Sequence, residues 1–431
     1  YFTQKSTKDS TGAKKYSYTE KQAYTYNLFH ESYDYGGGVE WRPSKKSTLT
    51  FDAHSDNFTS KYDYWQTAND EAREETRKKT RFVNEKLNGI FQLTPCNRLS
   101  AGLDFVQETL KSETDNIHKE TSNSNNIYLQ DEVNVRKWMD AVAGVRYTYN
   151  SNFGSNFTPN FGLFFHVKDF QLRLSYSKGY KTPTLSQLYA TDQARTNARY
   201  TINNPDLKPE KNDFWIANLG YGNKRIKTSV SAYINKISDM INYRTLPQTE
   251  IDGNDGLKAL YDEGWTTIRQ RSNLDKATIK GITYNLKVLL PKGFCIDGGY
   301  TYTDSESETK QLNVKEQTYE TTKSPVDKSV KNVGHLALSW DKTWNYYRLN
   351  VCMNGYAQDK RFSSTYGYCP GYGQWDLITR HTFNYNHVIL EPSVGIENLF
   401  DKRDDRTWNS NFSTINPGRS FLVSLAVKFK D

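Results

Sequence analysis

The feature that most limits what this chain can become is a period of two. From Phe421 to Phe429, the residues Phe421, Val423, Leu425, Val427 and Phe429 alternate with Leu422, Ser424, Ala426 and Lys428. That spacing sends successive side chains to opposite faces of a strand. One face is wholly apolar with an aromatic at each end; the other is mixed and carries a charge. The rhythm recurs along the chain. Tyr33, Tyr35, Gly37, Val39 and Trp41 share one face, and Leu49, Phe51 and Ala53 share the next, with Asp52 and His54 opposite. Phe170, Leu172, Leu174 and Tyr176 oppose Gln171, Arg173, Ser175 and Ser177, and Ile282, Tyr284, Leu286 and Val288 repeat the pattern. Asp131 and Pro392 interrupt it.

Alternation on this scale suits either a sandwich or a barrel in lipid, and composition and turn lengths separate the two. With 36% hydrophobic residues there is no run of about 18 apolar residues, so no membrane-spanning helix is expected. Barrel strands need apolar residues only at alternate positions. Short turns fall near residues 43–47, 94–98, 136–139, 168–169, 222–225, 291–293, 341–345 and 385–387. They alternate with longer polar segments near residues 57–80, 107–124, 181–212, 244–275, 304–331, 359–372 and 400–419; only residues 150–157 are short on that side. Short turns at one end and long loops at the other are the construction of an outer-membrane barrel.

The reading is therefore all-β, a transmembrane antiparallel β-barrel with about 17 strands in this segment. A single-chain bacterial barrel normally has an even number, with both ends in the periplasm. The last strand runs toward the short-turn side, which places the C-terminus in the periplasm and makes residues 1–22 the tail of an external loop. Residues 1–431 are expected to form one outer-membrane barrel domain, incomplete at its N-terminus and unable to close alone. The opening Tyr1-Phe2-Thr3, without Met, signal or lipidation motif, fits a processed chain or a fragment.

Three motifs then resemble TonB-dependent outer-membrane receptors. Tyr176-Ser-Lys-Gly-Tyr-Lys-Thr-Pro-Thr-Leu-Ser-Gln-Leu-Tyr189, followed by Asn204-Pro-Asp-Leu-Lys-Pro-Glu210, is similar to a signature of iron-complex, haem and cobalamin receptors. Tyr180-Lys-Thr-Pro183 stands where that family has Phe-Arg-Ala-Pro. Asn398-Leu-Phe-Asp-Lys402 tops the penultimate strand, and Pro417-Gly-Arg-Ser-Phe421 opens the final one. The resemblance implies 22 strands in the full protein, a globular plug ahead of them, and energy from the inner membrane through TonB. It implies a Gram-negative outer-membrane transporter that binds and imports a metal chelate, foremost a ferric siderophore or haem. Cobalamin is the alternative within the class, and a diffusive porin of 16–18 strands is the alternative outside it. Implied partners are outer-membrane lipid and lipopolysaccharide, TonB through the plug, and a small chelate, delivered in some receptors by a surface lipoprotein.

No catalytic pattern appears: there is no GxSxG, Walker or paired-Cys motif, so the chain reads as a receptor and not an enzyme. Four scattered Cys supply neither a disulfide framework nor a zinc site. The formal charge of +8 comes from 57 basic and 49 acidic residues spread without a polybasic block, against nucleic-acid binding. No cofactor and no protein-held metal are expected. Asp252-Gly-Asn-Asp-Gly256 lacks the carboxylates of a calcium loop and reads as a turn.

Binding candidates lie in the long loops, where Arg and Tyr suit an anionic, aromatic-bearing chelate. They are Tyr189, Arg195, Arg199 and Tyr200 in the 181–212 segment; Tyr62, Tyr64 and Trp65 in the 57–80 segment; and Arg361, Tyr366 and Tyr368 near residue 365. By alternation His54, His166 and His335 point into the lumen, which makes His54 and His335 haem-contact candidates. No His lies between Ala190 and Asn203, where haem receptors usually carry one.

Overall fold

The computed structural model describes residues 4–8, 14–18, 24–66, 71–194, 198–364, 367–403 and 418–429. A small hairpin pairs Gln4–Lys8 with Lys14–Tyr18. The long strands follow as β1 Tyr24–Ser44, β2 Ser47–Gln66, β3 Glu71–Thr94, β4 Asn97–Ser112, β5 Ile117–Arg136 and β6 Met139–Asn150. Next come β7 Gly154–Val167, β8 Phe170–Lys181, β9 Glu210–Gly222, β10 Ile226–Thr245, β11 Thr267–Leu289 and β12 Phe294–Asn313. The series ends with β13 Asn332–Trp344, β14 Tyr347–Gln358, β15 Tyr372–Asn384, β16 Val388–Glu397 and β17 Ser420–Phe429. Each pairs antiparallel with the next, and the sheet curls into a barrel. No described helix is long and apolar enough to cross a membrane.

The registers keep like faces together. Leu163, Leu174, Ala217, Ala232 and Ile282 stand side by side across β7 to β11. Phe421, Val423, Leu425, Val427 and Phe429 stand beside Ile396, Val394, Pro392, Leu390 and Val388. Phe161, Leu219 and Ile282 remain about half exposed, as a surface solvated by acyl chains requires. The opposite face is polar and cross-linked. Arg146 pairs with Asp104 at 2.6 Å, and Asp104 also accepts from Asn84 Nδ2 at 2.6 Å. Asp131, the acid on the apolar face, accepts from Asn97 Nδ2 at 2.8 Å through Oδ2, while its Oδ1 is buried without a hydrogen-bond partner among the described residues.

The expected short turns are present at one end. Residues 45–46, 95–96, 137–138, 168–169, 223–225, 290–293, 345–346 and 385–387 join the strands there. The long segments at the other end differ from the sequence reading. Most of 57–80 and 107–124 is strand, not loop: β2 and β3 stay paired as far as Gln66 and Glu71, and β4 and β5 as far as Ser112 and Ile117. Above the membrane both faces meet water, so the ladder continues without an apolar face to announce it. Within 244–275, two short helices form, α2 Gln248–Asp252 and α3 Asp255–Asp262, before β11 begins at Thr267. The Asp252–Gly256 stretch is thus the junction of two helices.

β1 and β17 are neighbours in a closed ring, so the expectation that the segment is unable to close alone does not hold: the curled sheet brings its first and last strands together, although among the described residues no residue-by-residue register joins them. Their side chains are among the most exposed in the molecule, with Val39 at 67% and Phe429 at 80%.

Leu174 lies four residues above Phe170 on β8, ~13 Å along a strand rising ~3.3 Å per residue. With a tilt of ~40° that is near the middle of a ~25 Å apolar band. Leu174→Arg is expected to cost about 2–4 kcal/mol in the unfolding of the full-length receptor from lipid vesicles. Arg173, whose guanidinium lies 5.0 Å from the Phe164 ring on the polar face, should tolerate Leu with a much smaller loss. The reverse order would shift the register of β8 by one.

Candidate ligand-binding rim

The segment between β8 and β9 is built as an insert whose neck is closed by its own signature residues. Lys181 Nζ reaches Glu210 Oε2 at 3.0 Å, and Glu210 Oε1 accepts from the backbone of Ile241 at 3.0 Å. Thr184 caps α1, Leu185–Tyr189, in a reciprocal capping box with Gln187. Asn204 donates to the carbonyl of Arg271 at 2.7 Å and accepts from the backbone of Asp206 at 3.1 Å, holding the turn before Pro205. Lys208 and Asn273 exchange two bonds of 2.7 Å.

The insert bridges distant strands. Leu185 and Ala190 are buried with Leu110 and Ile117 at the tops of β4 and β5, and Thr191 donates to the carbonyl of Asp115 at 3.2 Å. At its other end Arg199–Ile202 forms a parallel ladder with Thr267–Gln270 of β11. Beneath this ladder Ile268, Leu246 and Ile251 are buried together, with Ile202 and the apolar side of α3 against them.

This geometry gathers arginines and aromatic rings. Arg269 lies 3.7 Å from the Tyr243 ring centroid and donates to Thr201 Oγ1 at 2.9 Å. Arg271 stands 4.9 Å from the same ring, donates to the Tyr243 hydroxyl at 2.7 Å and also to the carbonyl of Ser186 at 3.1 Å. Tyr200 meets Trp265 edge-on at 5.5 Å. Burial first, and then the charge of Arg199, push Arg269 below the ordinary arginine range, so its guanidinium is under-compensated. Burial also opposes the charge of Arg244, but Glu250 and Tyr319 outweigh it and hold that group above its ordinary value. Arg199 makes a long contact of 3.8 Å with Asp192, and its Nε is buried without a hydrogen-bond partner among the described residues. The Tyr180 hydroxyl is in the same condition.

The sequence candidates divide accordingly. Arg199 belongs to this cluster, whereas Tyr200 points to the other face of the same strand, beside Ile268 and against Trp265. Tyr189 packs on the Leu110–Leu185 core, and burial together with Glu120 raises its phenol pKa. Tyr62 is half-buried on β2, while Tyr64 and Trp65 lie on the same strand with side chains outside the described set. Arg361 and Tyr368 sit on a separate small hairpin, where Tyr368 packs edge-on against Phe362 at 5.3 Å and under Lys360 at 4.4 Å. Arg195 and Tyr366 lie outside the described residues. His54 is on the polar face, 3.2 Å from Asp34, and His335 lies over Gly299 on that face. His166 accompanies them, its Nε2 2.8 Å from the carbonyl of Lys137. Among the described residues no His, Cys, Asp and Glu group could hold a metal.

Tyr243, Arg269 and Arg271 were missed in the sequence because they fall in a segment read as loop. Their signal was there: Arg269, Arg271 and Asn273 alternate with Ile268, Gln270 and Ser272, a strand pattern with charge on one face. Asn204→Ala should free this end of the insert. It removes two hydrogen bonds of about 1 kcal/mol each, and faster amide exchange over residues 199–208, with exchange in β13 to β15 unchanged, is the expected readout.

The family described as TonB dependent receptor-like, beta-barrel matches residues 1–399. The ferric enterobactin receptor PirA of Pseudomonas aeruginosa is 23% identical over 341 residues, 70% of this chain and 41% of that protein. The vitamin B12 transporter BtuB of Photobacterium profundum is 22% identical over 318 residues, 72% of this chain and 45% of that protein. The chain thus spans less than half the length of these relatives. The crystal structure of the siderophore receptor PirA from Acinetobacter baumannii superimposes with a TM-score of 0.65 at 15% identity, covering 94% of this chain and 71% of that one. At that identity the likeness is one of fold.

Proposed function

We propose, on the premise that this chain belongs to the TonB-dependent receptor-like β-barrel family, that it forms the wall and ligand rim of an outer-membrane transporter importing a ferric chelate. The family and the matched relatives are receptors and transporters, not enzymes. Members depend on TonB, and in this reading a plug ahead of the barrel carries that contact. In this reading the remaining strands of a 22-stranded wall come between β1 and β17, since lipid tolerates no unpaired backbone. The apolar face meets outer-membrane lipid and lipopolysaccharide. Delivery by a surface lipoprotein finds no support in the rim and forms no part of this reading.

The observation that carries the proposal is the half-buried Arg269 lying over the Tyr243 ring, with Arg271 over the same ring and with Arg199 nearby, whose Nε has no hydrogen-bond partner among the described residues. Guanidinium and phenol groups converging at a rim suit an anionic complex with aromatic or carboxylate donors. A siderophore or haem iron is then held through its chelator. Arg195, Tyr62, Tyr64, Trp65, Arg361, Tyr366 and Tyr368 stay as second-rank contacts, and Tyr189 as a support for α1. Cobalamin is the second reading, favoured by the near-equal identity to the vitamin B12 transporter.

The test is intrinsic fluorescence quenching of the full-length receptor by ferric enterobactin, haemin and cyanocobalamin. Quenching by a ferric complex is expected. Arg199→Ala with Arg269→Ala should weaken it about tenfold or more, the loss being greater at low ionic strength. Response to cyanocobalamin alone would transfer the assignment to that ligand.

A further inference from the structure

The two arginines of the rim, Arg269 and Arg271, are carried by a short length of ladder. Below it, β10 and β11 pair without a break from Ile226 with Val288 up to Ile237 with Ala277. Two register shifts follow, between Ile237 and Met240 and between Met240 and Ile241. Asp239, at φ +56°, sits in the first of them in the left-handed region. Above the shifts five pairs remain, from Ile241 with Asn273 to Thr245 with Arg269, before the chain leaves for α2. Bulges bend a strand and break the line of its ladder. The lower wall therefore does not by itself fix how these five pairs stand.

Alternation divides the five pairs between two faces. Tyr243, Arg269 and Arg271 share the face of the ligand cluster. Arg244 turns to the other face, with Gln270 and Ser272, and its side chain is only 22% exposed. All three of its guanidinium nitrogens are in use. Nε donates to Ser272 Oγ at 3.1 Å and Nη2 to Gln270 Oε1 at 3.3 Å. Nη1 donates to Glu250 Oε1 of α2 at 2.8 Å and to the Tyr319 hydroxyl oxygen at 3.2 Å. Glu250 and Tyr319 outweigh the cost of burying this charge.

The brace extends to a third part of the chain. Tyr319 belongs to the hairpin strand Thr318–Ser324, and its hydroxyl donates to the carbonyl of Thr245 at 2.8 Å. Beside it the backbone N–H of Gln248, the first residue of α2, donates to Gln317 Oε1 at 2.5 Å. Gln270 and Ser272 are the residues on either side of Arg271. Bonds that hold them on one face thus hold Arg271 on the other, and the Tyr319 bond to Thr245 does the same for Arg269, its partner in the ladder.

We infer that Arg244 is a positioning residue of the ligand rim. It meets no ligand itself; by bonding β11, α2 and the Tyr319 strand on the far face, it sets the attitude of Arg269 and Arg271 toward the chelate. The planar fork is what the role requires, because one group must hold four oxygens from three segments. The inference rests on the chelate reading above.

The test uses the full-length receptor in detergent, with ferric enterobactin and ferric citrate as quenching probes. Arg244→Met is expected to weaken binding about fivefold. Arg244→Lys should weaken it equally, since an ammonium keeps the charge but loses the fork. In a receptor already carrying Arg269→Ala and Arg271→Ala, the same changes should cost nothing further. Labelling with phenylglyoxal in the absence of chelate adds a second readout: Arg269 and Arg271 should react about threefold faster in Arg244→Met, as their strands open more readily. Heat-modifiable migration on a detergent gel reports that each variant is folded. Should Arg244→Met not fold, Tyr319→Phe takes its place; it keeps the ring, loses two hydrogen bonds and should cost about twofold, again only when both arginines are present. Wild-type affinity in Arg244→Lys would make Arg244 a mere source of charge and overturn the inference. An undiminished loss in the double-alanine receptor would overturn it too, by showing a route that bypasses the two arginines. A folded wild-type receptor quenched by neither probe overturns the chelate reading itself, a result distinct from a probe that binds wild type and variants alike.

Discussion

Strand-to-strand hydrogen bonding is the constraint from which the rest follows. In a hydrocarbon layer a backbone N–H or C=O has no water to turn to, so each strand must be paired on both sides. The pairing here runs unbroken from β1 to β17, and it forces side chains into lanes in which every second residue meets lipid. The lanes, not a packed interior, are where the apolar residues go. The buried clusters are correspondingly small and sit at the rim: Leu110 with Ile117, Leu185 and Ala190, and Leu246 with Ile251 and Ile268.

Legibility in the sequence follows the same division. Wherever one face touches lipid, the period of two is strong, and Phe421 to Phe429, Phe170 to Tyr176 and Ile282 to Val288 are strands at the predicted register. Beyond the band that contrast vanishes, and charged stretches such as Arg77–Thr80 read as loop although the ladder continues through them. The rim was half legible. The motifs marked the insert and so Arg199 and Tyr200. Arg269, Arg271 and Tyr243 reach the same place only through pairing between segments nearly seventy residues apart, which no local pattern announces.

The motifs are fastenings as much as recognition elements. Asn398 is buried; its side-chain Oδ1 accepts from the backbone N–H of Lys402 and its Nδ2 donates to the carbonyl of Lys402, both at 2.8 Å. Asp401 then accepts from the backbone of Arg419 at 2.8 Å, tying the top of β16 to the entry of β17. Gly418, at φ +92°, occupies the left-handed region, and a Cβ there would meet Arg403 and Asp401 at 2.8 Å. The Asn398–Lys402 signature and Gly418–Arg419 of the second thus meet in one knot.

The insert has a consequence for assembly order. Its hydrogen bonds reach forward along the chain, from Asn204 to Arg271, from Lys208 to Asn273 and from Ser186 to Arg271, spans of 67, 65 and 85 residues. Closure of loops that long is unfavourable until both ends are already fixed. The stretch from Arg199 to Lys208 therefore sets only when β11 arrives, whereas α1 finds its packing partners on β4 and β5, earlier in the chain. A wall halted before that strand has the signature residues in sequence but lacks the parallel ladder with Arg199–Ile202 that completes the rim.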